Sequence, residues 1–160
     1  MYDINGILFE LRHYSKVDES NGKYIIPILV DFDYTITKTS CWKDETFVIN
    51  HDCFPVLRKW QDKYGVKIIL DTMRGEDNIS PAVELLEENG IFVYGIGENP
   101  LQAKGEGCTK KIWGVFSIDD RNFGSPLIEE EGCRGYIDWK RVDEGLTPII
   151  KRISDSLNNK

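Results

Sequence analysis

The chain has 160 residues, with 20 basic against 27 acidic side chains and a net charge of −7. That is the length of one ordinary domain, and 41% hydrophobic residues are enough for a core and too many for a disordered chain. The negative surplus excludes nonspecific coating of nucleic acid or of an anionic bilayer, and it requires a local reversal of sign if the substrate is an anion.

In chain order, residues 7–14 alternate loosely and predict a strand, and Glu19-Ser20-Asn21-Gly22 carries turn chemistry. Residues 1–24 are therefore expected to form a β-hairpin extension. Residues 24–31 are nearly all apolar, the pattern of a central strand buried on both faces. Pro27 cannot donate to a ladder, so the regular part of that strand is expected just after it. A helix comes next over 53–64, with Asp52 as its cap, Phe54, Leu57, Trp60 and Tyr64 at helical spacing, and Gly65 as its stop. Residues 66–71 read as a second buried strand. Ser80-Pro81 opens a helix that Asn89-Gly90 closes. Residues 91–94 read as a third strand, 95–110 as a glycine-rich loop, and 115–119 as a fourth strand. Thr147-Pro148 is expected to cap a last helix with an apolar face of Ile149, Ile150, Ile153 and Leu157.

No apolar run approaches the ~20 residues of a membrane helix. Met1 to Asn5 lack the basic flank and apolar stretch of a signal peptide. Cys41, Cys53, Cys108 and Cys133 form no CxxC pair and read as free thiols of a cytoplasmic protein. His51 and Cys53, with Cys41 nearby, lack a fourth ligand and fit no common zinc spacing.

Strands alternating with helices predict crossover units on a parallel sheet, whose ligands bind outside the carboxyl ends of the strands. Those ends carry Asp31-Phe32-Asp33-Tyr34-Thr35, Asp71-Thr72 and Asp119-Asp120. Carboxylates at 31, 33, 119 and 120 converging on one crevice repel each other unless protons or a cation compensate, and an all-oxygen set of that hardness suits Mg²⁺. Each piece alone is more simply a turn, a cap or a solvated strand end; their joint placement is the signal.

This ordered set resembles the haloacid-dehalogenase-like phosphohydrolase superfamily over roughly residues 27–123. The first motif, Asp-x-Asp-x-Thr after an apolar strand, is matched by residues 31–35. Thr72 matches the Ser or Thr of the second, and Asp119-Asp120 the acidic pair of the fourth. Of Lys104, Lys110 and Lys111, the last, eight residues before Asp119, is the preferred third-motif lysine. Ser117 to Gly124, with Trp139 beyond, is similar to small bacterial and phage members without a large cap. The resemblance implies a three-layer α/β/α Rossmann-like domain with a mainly parallel sheet. Residues 25–125 would be its catalytic core and 126–160 a C-terminal strand and helix. It also implies a Mg²⁺-dependent phosphomonoester hydrolase. Asp31 would be its nucleophile, Asp33 its acid and base, and Thr72 and Lys111 would hold the phosphoryl oxygens. Asp31, Asp119, Asp120 and the backbone carbonyl of Asp33 would bind the metal.

Two departures stand out. The family often has glycine where Tyr34 stands, and an apolar residue is more typical at Asp71. Asp71 either reaches the crevice or caps the next turn, and Arg74 either meets a substrate anion or closes a salt bridge. Neither interval between motifs holds a cap domain, so the crevice is open or takes a lid from a partner subunit, with 36–50 and 95–110 as small flaps. Trp42 and Trp113 are candidates to stack on a sugar or base, or else are core aromatics. Gly95-Ile96-Gly97 is a lone fragment of little weight as a dinucleotide signature. A response-regulator receiver carries similar residues in a different order. A catalytically idle binding protein, and phosphotransfer to an acceptor other than water, are the alternatives.

Overall fold

The computed structural model describes residues 2–40 and 47–159. Among these residues lies a four-stranded parallel sheet. The elements are α1 (Ile4–Tyr14), β1 (Val17–Asp18), β2 (Lys23–Tyr24), β3 (Ile26–Val30), α2 (Cys53–Tyr64), β4 (Val66–Leu70), α3 (Ser80–Glu88), β5 (Val93–Ile96), β6 (Phe116–Ile118), β7 (Leu127–Ile128), β8 (Tyr136–Ile137) and α4 (Trp139–Asn158). The sheet runs β5-β4-β3-β6. The chain steps outward from β3 through α2 to β4 and through α3 to β5, then returns to the other side of β3 as β6. The order therefore reverses between β3 and β6, the place where open sheets of this Rossmann-like kind leave a crevice.

All five residues of β3 are buried, and in β4 only Lys67 is not, so the apolar runs mark the centre of the sheet as expected. Pro27 lies inside β3 rather than before it, in register with Lys67. Ile26 and Pro27 face opposite neighbours: the Ile26 N–H donates to Gly65, while the Pro27 carbonyl accepts from Val115. The missing proline N–H thus faces the side where β6 has not yet begun, and no ladder bond is lost.

Residues 7–14 are helical, not extended. The Asp3 carboxylate accepts the Gly6 N–H (3.0 Å) at the N-terminus of α1, and Leu8 and Leu11 pack into the core. The expected hairpin is confined to β1 and β2, antiparallel around residues 19–22. Helix α2 matches its predicted bounds, although the Asp52 side chain makes no capping bond. Gly65 ends it at φ 74°, and a Cβ there would come within 2.5 Å of the Tyr24 carbonyl oxygen, so both conformation and space demand glycine. The predicted third strand sits two residues late, because Ile91 is used in closing α3, where its N–H bonds the Leu86 carbonyl (2.9 Å).

The last helix begins at Trp139, not Thr147, and contains Pro148. Asp138 caps it, accepting from the N–H groups of Lys140 and Arg141 (3.2 and 3.3 Å). Its buried stripe of Val142, Ile150, Ile153 and Leu157 joins the core with Trp60 and Leu57 of α2. No helix among the described residues is long and apolar enough to cross a membrane.

Candidate functional site

A cavity of about 410 Å³ opens beyond the carboxyl ends of β3, β4 and β6. It is lined by Asp31, Asp33, Asp71, Thr72, Asp119 and Asp120, together with Tyr34, Arg121 and Arg134. The sheet itself builds it. The Asp31 N–H donates to Ile118 of β6 (2.9 Å) and the Asp71 N–H to Val30 of β3 (3.0 Å), so each strand end fixes the next. Parallel register then delivers three acidic segments to one rim.

Asp31, Asp119 and Asp120 each offer an oxygen within 4.8 Å of the others, the spacing of ligands around one cation. Burial, reinforced by the charges of Asp119, Asp120 and Asp33, pushes the Asp31 carboxyl up to about 7. Burial also raises Asp120, against the opposing pull of Arg134. The other two pairings in the crevice are arginine contacts. Arg74, 7% exposed, donates from Nε to Asp33 Oδ2 (3.0 Å) and from Nη2 to Asp33 Oδ1 (2.7 Å). Its guanidinium also lies 4.9 Å from the Phe32 ring centroid and 5.3 Å from that of Phe47, and Nη1 reaches the Asn78 carbonyl (3.3 Å). Between the two expectations for Arg74, the structure thus shows the salt bridge.

Arg134, on the loop between β7 and β8, pairs with Asp120 and stacks 4.5 Å from the Tyr34 ring centroid. Tyr34 holds φ 58°, the left-handed region, which explains physically why a glycine suits this position. Its carbonyl accepts the Ile137 N–H (2.9 Å), and the Trp139 indole N–H donates to the Thr35 carbonyl (2.8 Å). The C-terminal segment therefore braces the loop after β3.

Five of the six residues expected from the sequence, together with Asp71, meet in this cavity; Lys111 does not. It is exposed in a separate hollow with Gly97, Glu98 and Lys104, and Lys104 is paired with Glu98 (2.7 Å). The cations at the crevice are Arg74, Arg121 and Arg134 instead. Arg134 carries no local signal in sequence: it is 14 residues from Asp120 and arrives only through the β7–β8 hairpin. Trp113 is half-buried against Tyr14 and leads into the amino end of β6, so it does not line the cavity, while Trp42 lies outside the described residues. For the zinc alternative, Cys53 is fully buried, its thiol pushed up by burial, and Cys41 lies outside the described residues.

No family model matches the chain, and no curated protein matches it significantly. The solved structure of a conserved protein from Bacteroides thetaiotaomicron is similar to it. The TM-score is 0.59 at 23% sequence identity, over 78% of this chain and 91% of that one. That likeness bears on the fold: a mixed α/β domain with a parallel, Rossmann-like sheet.

Proposed function

We propose that the chain is a Mg²⁺-dependent phosphomonoester hydrolase of the haloacid-dehalogenase-like kind, acting on a small phosphorylated metabolite or an exposed phosphate of a larger molecule. The observation that carries this reading is the convergence of Asp31, Asp119 and Asp120 within 4.8 Å at the switch point of the sheet. The donor set fits the ion: it is all carboxylate oxygen, and the three carboxylates crowd together where burial, with their mutual charge, pushes Asp31 up to about 7. Asp31, Asp119 and Asp120 would hold Mg²⁺ with the backbone carbonyl of Asp33. When bound, the ion supplies the positive charge that an anionic phosphoryl group needs in an acidic crevice.

In this mechanism an Asp31 oxygen attacks phosphorus, the ester P–O bond breaks, and an aspartyl-phosphate forms. Asp33 gives a proton to the departing oxygen. It then takes one from the water that attacks the aspartyl-phosphate, releasing inorganic phosphate and regenerating Asp31. Arg74 holds both oxygens of Asp33 in the structure, so one of these two bonds must open before Asp33 carries that proton. The Thr72 hydroxyl lines the cavity, where it can donate to a phosphoryl oxygen while accepting the Arg74 N–H (3.3 Å). Arg121 and Arg134 supply the cationic character that the resemblance assigned to Lys111.

The test is release of phosphate from an aryl phosphate and from a panel of metabolite esters, with Mg²⁺ and with chelator. Turnover that requires the ion and disappears in Asp31→Asn is expected. Unchanged turnover in Asp31→Asn contradicts the mechanism, and phosphate appearing on an added alcohol would make the chain a transferase.

A further inference from the structure

Asp71 directly follows β4, one residue before Thr72, and lines the same cavity as Asp31. Its backbone is fixed by the bond from its N–H to Val30. Its carboxylate, in contrast, has no hydrogen-bond or ion-pair partner among the described residues. Three of the other carboxylates in the cavity are engaged. Asp33 holds Arg74, Asp120 holds Arg134, and Asp119 accepts the Arg121 N–H (2.8 Å).

Nor does Asp71 cap the next turn, since the Arg74 N–H goes to the Thr72 hydroxyl. Burial and the charge of Asp119 both work against its ionised form. The carboxylate therefore lines the cavity without a side-chain partner among the described residues. It would also repel a phosphoryl group held directly against it. The part of a bound ester it suits is the leaving group, and what a carboxylate recognises there is a hydrogen-bond donor.

We propose that Asp71 determines specificity by accepting a hydrogen bond from a hydroxyl or ammonium group on the leaving group, so that the site prefers polyol or amino-alcohol phosphates to plain alkyl phosphates. The proposal rests on the phosphohydrolase reading above. In a family-like site with an apolar residue at 71, the same ester would find no partner for that group.

The test compares ethyl phosphate, 2-hydroxyethyl phosphate and 2-aminoethyl phosphate, which differ in one substituent, with an aryl phosphate as reference. In the wild type, kcat/KM for at least one of the two donor esters is expected to exceed that for ethyl phosphate by about tenfold or more, the size of a hydrogen bond to a charged acceptor. In Asp71→Leu the three esters converge to within about twofold, read as ratios among the three so that any common loss of rate cancels. Asp71→Asn separates the two donors: a preference for the hydroxyl survives in it, and one for the ammonium does not. Three equal esters in the wild type, or a preference that persists in Asp71→Leu, overturn the proposal while aryl phosphate turnover leaves the phosphohydrolase reading standing. No turnover of any ester overturns both.

Discussion

Replacing Asp31 by asparagine should stabilise the metal-free protein at neutral pH, because its carboxylate sits where its own charge is unwelcome. Its carboxyl is raised from an ordinary 3.8 to about 7, with burial as the leading cause. At 1.36 kcal/mol per unit the ceiling is about 4 kcal/mol, and solvent screening of this partly exposed group reduces it to about 2 kcal/mol. For a chain of this size that is about 4–8 °C in Tm. The sign comes from linkage. A folded-state value above the unfolded one favours folding below pH 3.8, and that contribution is lost as pH rises toward 7. Thermal unfolding of chelator-treated wild type and Asp31→Asn, from pH 4 to pH 8, reads the effect directly. The variant should gain most at pH 8 and almost nothing at pH 4. Added Mg²⁺ should raise wild-type Tm more than that of the variant. Equal stability at pH 8, or an advantage that grows on acidification, would show that Asp31 carries no unfavourable charge in the folded chain.

The same contacts set other outcomes. Arg74→Met strands the largely buried Asp33 carboxylate, and breaking a buried pair costs about 3–5 kcal/mol, read by urea unfolding. Replacing both partners with apolar residues should recover most of that loss. Lys111→Ala should keep the proposed phosphatase turnover within about threefold of wild type, equivalent to less than about 1 kcal/mol of barrier, because its side chain lies outside the cavity. A hundredfold loss in that variant would restore the third-motif role to Lys111. Gly65→Ala should lower stability by more than about 1 kcal/mol in equilibrium unfolding, through both the left-handed backbone and the clash with Tyr24.

The carboxyl ends of β3, β4 and β6 were legible in sequence because each buried apolar run stops at a polar residue. A parallel sheet needs nothing more to gather Asp31, Asp33, Thr72, Asp119 and Asp120. The terminal elements were not legible for local reasons. In α1, Ile4, Leu8 and Leu11 keep a helical spacing, but residues 7–14 also alternate closely enough to mimic a strand. In α4, Gly145 and Pro148 interrupt the first half, and the tertiary packing of Trp139 and Val142 carries the helix through both. The arginine pairings depend on long-range contacts. Arg74 lies 41 residues from Asp33, and Arg134 reaches Asp120 from a separate hairpin. Lys111 shows the limit of spacing alone: eight residues before Asp119 says nothing about which hollow a side chain enters, and it lies in a hollow apart from the cavity.

The proposed covalent catalysis by Asp31 can be read directly by acid quenching the chain during turnover of a phosphorus-labelled aryl phosphate with Mg²⁺, then mapping protein-bound label. Base-labile label is expected on the peptide that carries Asp31, absent from Asp31→Asn and from chelator-treated protein. Active turnover whose label maps to another residue, or persists in Asp31→Asn, would remove Asp31 from the nucleophile's role.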